Sequence, residues 1–161
     1  MLDRVIAALV QSKNEAADEV LLEALRLGAA REQAIALDAL LRRKTEPGLA
    51  GVVGRFDALA PDLQSRVLQH VKLFHHALRE CGRSPVDSER LAAMRIIMLA
   101  HQGKLAYVLS ENLHDVNERF SRAAADAMLG LARWATTATR ELQKQGQGER
   151  GEGQGEETSG D

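Results

Sequence analysis

The stretch from Asp115 to Trp134, DVNERFSRAAADAMLGLARW, constrains the chain most. Phe120, Ala124, Met128 and Leu131 fall three to four positions apart and give a helix one apolar stripe. Asp115 and Glu118 stand at capping-box spacing ahead of it, so the spacing predicts a capped helix running to about Leu142. An apolar stripe of this kind has to be covered by another element. The other segments on offer are also helical. Ala, Leu, Glu, Arg and Gln dominate, aromatics make up only 3% of the chain, and β-branched residues never form a period-2 run. The sequence predicts an all-α fold.

Seven further helical segments precede it. The first covers Leu2 to Gln11, with Leu2, Val5, Ile6 and Leu9 on one face. Ser12 with Glu15, or Asn14 alone, starts a second through Val20, Leu21, Ala24 and Leu27, closed by Gly28. A third, Ala30 to Lys44, carries Ala34, Leu37, Leu40 and Leu41. It ends in Arg42-Arg43-Lys44, where cations suit the helix dipole. Thr45-Glu46-Pro47 restarts the chain into a fourth, to Leu59, in which Gly48, Gly51 and Gly54 share a face and permit close approach of a neighbour. Pro61 opens a fifth, to Glu80, with the stripe Leu63, Val67, Val71, Phe74 and Leu78. Ser84-Pro85-Val86-Asp87 opens a sixth with Leu91, Met94, Ile97 and Met98. A short seventh, Lys104 to Leu113, holds Leu105, Val108 and Leu109.

At 161 residues the chain is long enough for one domain with a core. Residues 1–142 are expected to form it. Residues 143–161 hold six glycines and no apolar side chain, which predicts a disordered tail. The net charge of −2 supplies no global field toward nucleic acid or an acidic membrane surface. Cys81 is the only cysteine, which excludes an intramolecular disulfide. The apolar run Val5–Val10 is too short for a secretory core or a membrane span, so a cytoplasmic protein is expected.

Phe120-Ser121-Arg122-Ala123-Ala124-Ala125-Asp126-Ala127-Met128, followed by Leu131, resembles the second helix of a HEAT repeat, and Asp115 sits where that family usually has a loop Asp. Ser65-Arg66-Val67-Leu68 with Val71 is a looser copy, and Arg31 to Leu41 is a third. The resemblance, covering roughly residues 15–134, implies an armadillo-like α-solenoid: a short right-handed stack of three to four antiparallel helix pairs, each covering the next. The copies are unevenly spaced, 35 residues from Arg31 to Arg66 and 56 from Arg66 to Arg122, so a compact helical bundle is the alternative.

Residue types that carry chemistry do not assemble into a reaction in this reading. His70, His75 and His76 are spaced wrongly for three helical metal ligands, with His75 expected at a packing interface and the other two toward solvent. Glu111 and His114 have Glu-x-x-His spacing, but di-iron chemistry needs a second such motif. No catalytic set, cofactor or metal is expected. The resemblance implies a non-catalytic scaffold whose second helices present a polar groove to another protein, with Arg66, His70, Lys72, Arg119 and Arg122 as its contacts. Two other activities known among HEAT-like proteins are alternatives: nucleic-acid binding of the DNA-repair type, and service as an accessory subunit of a tetrapyrrole lyase. Interspersed acids and scarce aromatics argue against nucleic acid. In the family the equivalent Arg and loop Asp also tie adjacent repeats together, the role expected of Arg122.

Overall fold

The computed structural model describes residues 2–151, and side chains within 4–147. The helices are α1 (Leu2–Gln11), α2 (Ala16–Leu27), α3 (Ala30–Arg43), α4 (Glu46–Arg55), α5 (Pro61–Gln69), α6 (His75–Cys81), α7 (Asp87–Leu99), α8 (Ala106–Leu113) and α9 (Glu118–Gly151). Short 3₁₀ turns follow α4 at Phe56–Ala58, link α5 to α6 at Val71–Phe74 and precede α8 at Gly103–Leu105. Among the described residues there is no strand. The fold is all-α.

The segment expected as one helix from Pro61 to Glu80 is two, broken at His70. His70 leaves helical geometry at φ −103° and ψ 19°, and its amide is shared between the carbonyls of Arg66 and Val67. Leu63, Val67, Val71, Phe74 and Leu78 are nonetheless all buried, because the 3₁₀ turn keeps one apolar face through the break. The last helix, expected to end near Leu142, continues to Gly151. Residues 152–161 of the expected tail lie outside the described residues.

Packing follows chain order. α1 lies on α3, α2 on α3 and α4, α4 on α6 and α7, and both α7 and α8 on α9. The helix lightest in side chains, α4, therefore stands at the centre. Its glycines allow this. A Cβ on Gly51 would stand 2.4 Å from Leu22 of α2, and one on Gly54 would stand 3.1 Å from Glu89 of α7. Gly48 faces Asp18 and Leu40 in the same way. Leu49, Val52 and Val53 fill the remaining face, with Phe56 and Phe74 as the largest side chains of the core. α7, squeezed between α4 and α9, buries Ala92, Ala93, Met94, Ile96 and Ile97.

Two arginines tie the layers together. Arg43 turns inward from the end of α3. Its Nε lies 2.6 Å from the Asp18 carboxylate, both side chains are 2% exposed, and its guanidinium also donates to the carbonyls of Leu9, Ser12 and Asn14. The dipole explanation of the basic run therefore fails for Arg43, which holds α1 and α2 to α3. At the other end, Arg90 of α7 donates to Asn112 and pairs with Asp115, with its guanidinium 4.2 Å above the Phe120 ring. Asn112, fully buried, passes the connection on to the Gly82 carbonyl at 3.0 Å. The tie expected of Arg122 is made by Arg90, and Arg122 pairs within its own helix with Glu118 at 2.6 Å.

Several local expectations change with the structure. Asn14 rather than a Ser12–Glu15 box accepts the first free amide of α2, from Ala16 at 3.0 Å. Asn117 caps α9 through Arg119, while Asp115 accepts from Asn117 and is committed to Arg90. The Thr45 hydroxyl is buried and makes no capping bond. Gly28 closes α2 at φ −69°, so it is there for room and not for a left-handed turn: its Cβ would meet the Ala24 carbonyl at 2.5 Å. Val5, Val20 and Leu27, expected on buried stripes, are more than half exposed, and Leu22 and Leu25 take the inner positions of α2.

Candidate functional site

Two separate concave regions stand out among the described residues. The larger is a cleft of about 800 Å³ between the C-terminal end of α3 and the turn that breaks α5 from α6. Leu41, Val71 and Leu73 make its floor, and Arg42, Lys44, His70 and Lys72 stand around it with Asp38 and Gln69. A second depression of about 490 Å³ meets it at Lys72 and runs past His75 and His101 to Lys104.

The break at His70 builds this site. Leaving the helix there, the chain turns Lys72 outward while Val71 stays on the core. The His70 ring lies 2.9 Å from the Arg66 carbonyl, which also accepts from the His70 amide. At the opposite wall, the basic run at the end of α3 divides: Arg43 is buried, while Arg42 and Lys44 are exposed. Lys44 has φ 55° and ends the helix in the left-handed region. His101, with φ 54°, does the same after α7, and its ring stacks on Trp134 at 4.5 Å. Among the described residues these are the two non-glycine positions with positive φ, and both border this surface.

Charge pairing gives the cleft its sign. Asp38 is the acid that lines it, and Arg66 holds that carboxylate at 2.9 Å. Among the described residues Arg42, Lys44, Lys72 and Lys104 form no ion pair. The expected contacts His70 and Lys72 thus line the cleft, and Arg66 acts on it through Asp38. Arg42, Lys44 and Lys104 escaped sequence reasoning. For Arg42 and Lys44 the signal was the basic run, which helix-dipole chemistry explained too completely; Lys104 carried none.

Arg119 and Arg122 lie elsewhere, on a groove of about 480 Å³ between α7 and α9 that shares no residue with the basic cleft. Leu91 and Ala123 belong to its floor, and it adjoins a smaller depression containing Met94, Met98 and Ala127. Its cations are matched, with Arg119 3.5 Å from Asp87, Arg122 paired with Glu118 and Arg95 with Asp57 at 2.8 Å, while Asp126 makes no ion pair among the described residues. The five expected contacts therefore do not form one track.

The other groups considered in the sequence have structural partners. His75 meets the Gln102 side chain at 2.9 Å, and His76 faces Glu46 at 3.3 Å. Among the described residues no three His, Cys, Asp or Glu side chains come together as metal ligands. Glu111 pairs with Arg83 at 2.7 Å, and this hydrogen bond holds its carboxyl below the usual carboxylate range. Burial pushes the Cys81 thiol up to about 11, which keeps it protonated and unreactive. No helix among the described residues is long and apolar enough to cross a membrane. Compared with protein-family models, with curated proteins and with solved structures, the chain finds no match.

Proposed function

We propose that this chain is a non-catalytic interaction module of the cytoplasm, a short HEAT-like, right-handed stack of helix pairs that offers the basic cleft to another protein. The observation that carries the reading is the cleft itself: an aliphatic floor inside a rim of unpaired cations, open to solvent. Such a surface gains from a partner that covers its apolar floor and neutralises its rim. The chain-order packing of α2, α4, α7 and α9 along one row supports the family likeness, since each helix there leans on the next.

The test is a photo-crosslinking residue placed at Gln69, on the cleft, in the full chain expressed in cells. One dominant protein adduct is expected from Gln69 and none from the same residue placed at Arg140 on α9. Equal adducts from both positions, or none from Gln69, would overturn the reading. The unpaired cations also favour nucleic acid as a second reading, and it predicts a gel shift that weakens steeply with salt.

A further inference from the structure

We infer that the ligand of the basic cleft is an acidic peptide segment carrying an aliphatic anchor, a conclusion that rests on the interaction reading and specifies its partner. Three independent observations converge on it. Arg42, Lys44 and Lys72 are exposed around the cleft, Lys104 around the depression that meets it at Lys72, and among the described residues none has an acidic partner. Like charges gathered in this way repel one another, and an anionic ligand relieves the repulsion.

The backbone adds a second observation. Lys44 and His101 occupy left-handed positions where a glycine would avoid steric strain. His101 has an evident structural return in its stack with Trp134. Lys44 closes α3 with its amide on the Leu40 carbonyl and sets a cation at the helix C-terminus. It makes no ion pair among the described residues, and the same cation stands on the cleft rim.

The floor distinguishes between polyanions. Leu41, Val71 and Leu73 are aliphatic and suit a branched apolar side chain. A nucleic-acid strand calls instead for free aromatic faces, and the Trp134 ring beside this surface is already stacked on His101. Glutamate or aspartate flanking a leucine-like anchor matches both the rim and the floor.

Fluorescence anisotropy on the full chain tests this with a labelled short peptide that alternates glutamate with leucine. Binding is expected at about 50 mM salt and should weaken about tenfold or more by about 200 mM. Replacing leucine by serine in the peptide should weaken binding several-fold. Lys72→Glu should weaken it about tenfold, and Arg140→Glu on α9 should leave it unchanged. Lys44→Gly should weaken binding while raising the melting temperature, a combination that damage to the fold cannot produce. The assignment is overturned if the peptide does not bind at low salt, if Lys72→Glu binds as well as the parent, or if an oligothymidylate of equal charge binds more tightly. If the Gln69 crosslink to a protein persists in Lys72→Glu, the module reading stands and this ligand assignment falls. If no crosslink forms from Gln69 in the parent chain, both fall.

Discussion

Removing Arg43 tests the physical reasoning most severely, because the pair it forms with Asp18 is almost completely removed from water. Both side chains are 2% exposed and their nearest atoms are 2.6 Å apart. Arg43→Met leaves a carboxylate buried without its cation, and Asp18→Leu leaves the guanidinium buried without its anion. Breaking one side of such a pair costs about 3–5 kcal/mol. That is a large share of the roughly 5–15 kcal/mol by which a domain of this size is stable. The double variant removes both charges, so the remaining loss is the donor that the Leu9, Ser12 and Asn14 carbonyls share. At roughly 1 kcal/mol for each carbonyl, it should cost about 3 kcal/mol, well short of the sum of the single changes. Urea unfolding followed by circular dichroism gives all three values. Hydrogen exchange in Arg43→Met should also show α1 opening first, since two of the lost bonds hold its end. Single variants that each cost less than about 1 kcal/mol would refute the argument, as would a double variant equal to the sum.

Four further perturbations follow from the packing, the polar joint and the buried thiol. Gly51→Ala brings a Cβ to 2.4 Å from Leu22 Cδ1 and 3.2 Å from its Cγ, so rotating the methyl groups does not relieve the clash. Overpacking of about 1–3 kcal/mol should outweigh a helix-propensity gain of about 1 kcal/mol, and thermal melts should show net destabilisation. Gly146→Ala, with nothing within 4 Å of the new Cβ, should not destabilise. Asp115 is held below its usual 3.8, first by the Asn117 amide and then by Arg90. Its ionised form is favoured by folding, so the contribution is present above about pH 4 and lost as pH falls through the lowered value. The melting-temperature gap between the parent and Asp115→Asn should be open at pH 7 and close toward pH 3, and a constant gap would refute the assignment. Cys81, buried and raised to about 11, should react with a thiol reagent at pH 8 only as fast as the fold opens.

Much of this architecture is legible because helix punctuation is local. Pro47, Pro61 and Pro85 each stand within two residues of a helix start, and the glycine face of α4 does admit α2 and α7. The break at His70 is not legible, since neither proline nor glycine marks it and the apolar spacing runs straight through. The arginine ties are hidden for another reason. Arg43 and Asp18 lie 25 residues apart, as do Arg90 and Asp115, and a one-dimensional pattern carries no sign of which arginine reaches which acid. The resemblance led to that role being expected of Arg122, but its side chain points along its own helix, where Glu118 is one turn away.

The same difficulty hides the place of Arg66. It does not line the cleft; it neutralises the acid that does. The pair is half-exposed, so breaking it should change stability by no more than about 1 kcal/mol. Its effect on the ligand should be clearer, because the two ends of the pair act with opposite signs. Arg66→Gln removes a cation and releases the Asp38 carboxylate into the cleft, so it should weaken acidic-peptide binding about two- to fivefold. Asp38→Asn removes the acid and releases the Arg66 cation, so it should strengthen binding by a similar factor. Both changes break the same 2.9 Å contact, and a purely structural role would therefore move binding in the same direction for each. Anisotropy titrations at low salt separate the cases: opposite shifts mean that the pair sets the charge of the cleft, and parallel shifts mean that it only holds α5 to α3.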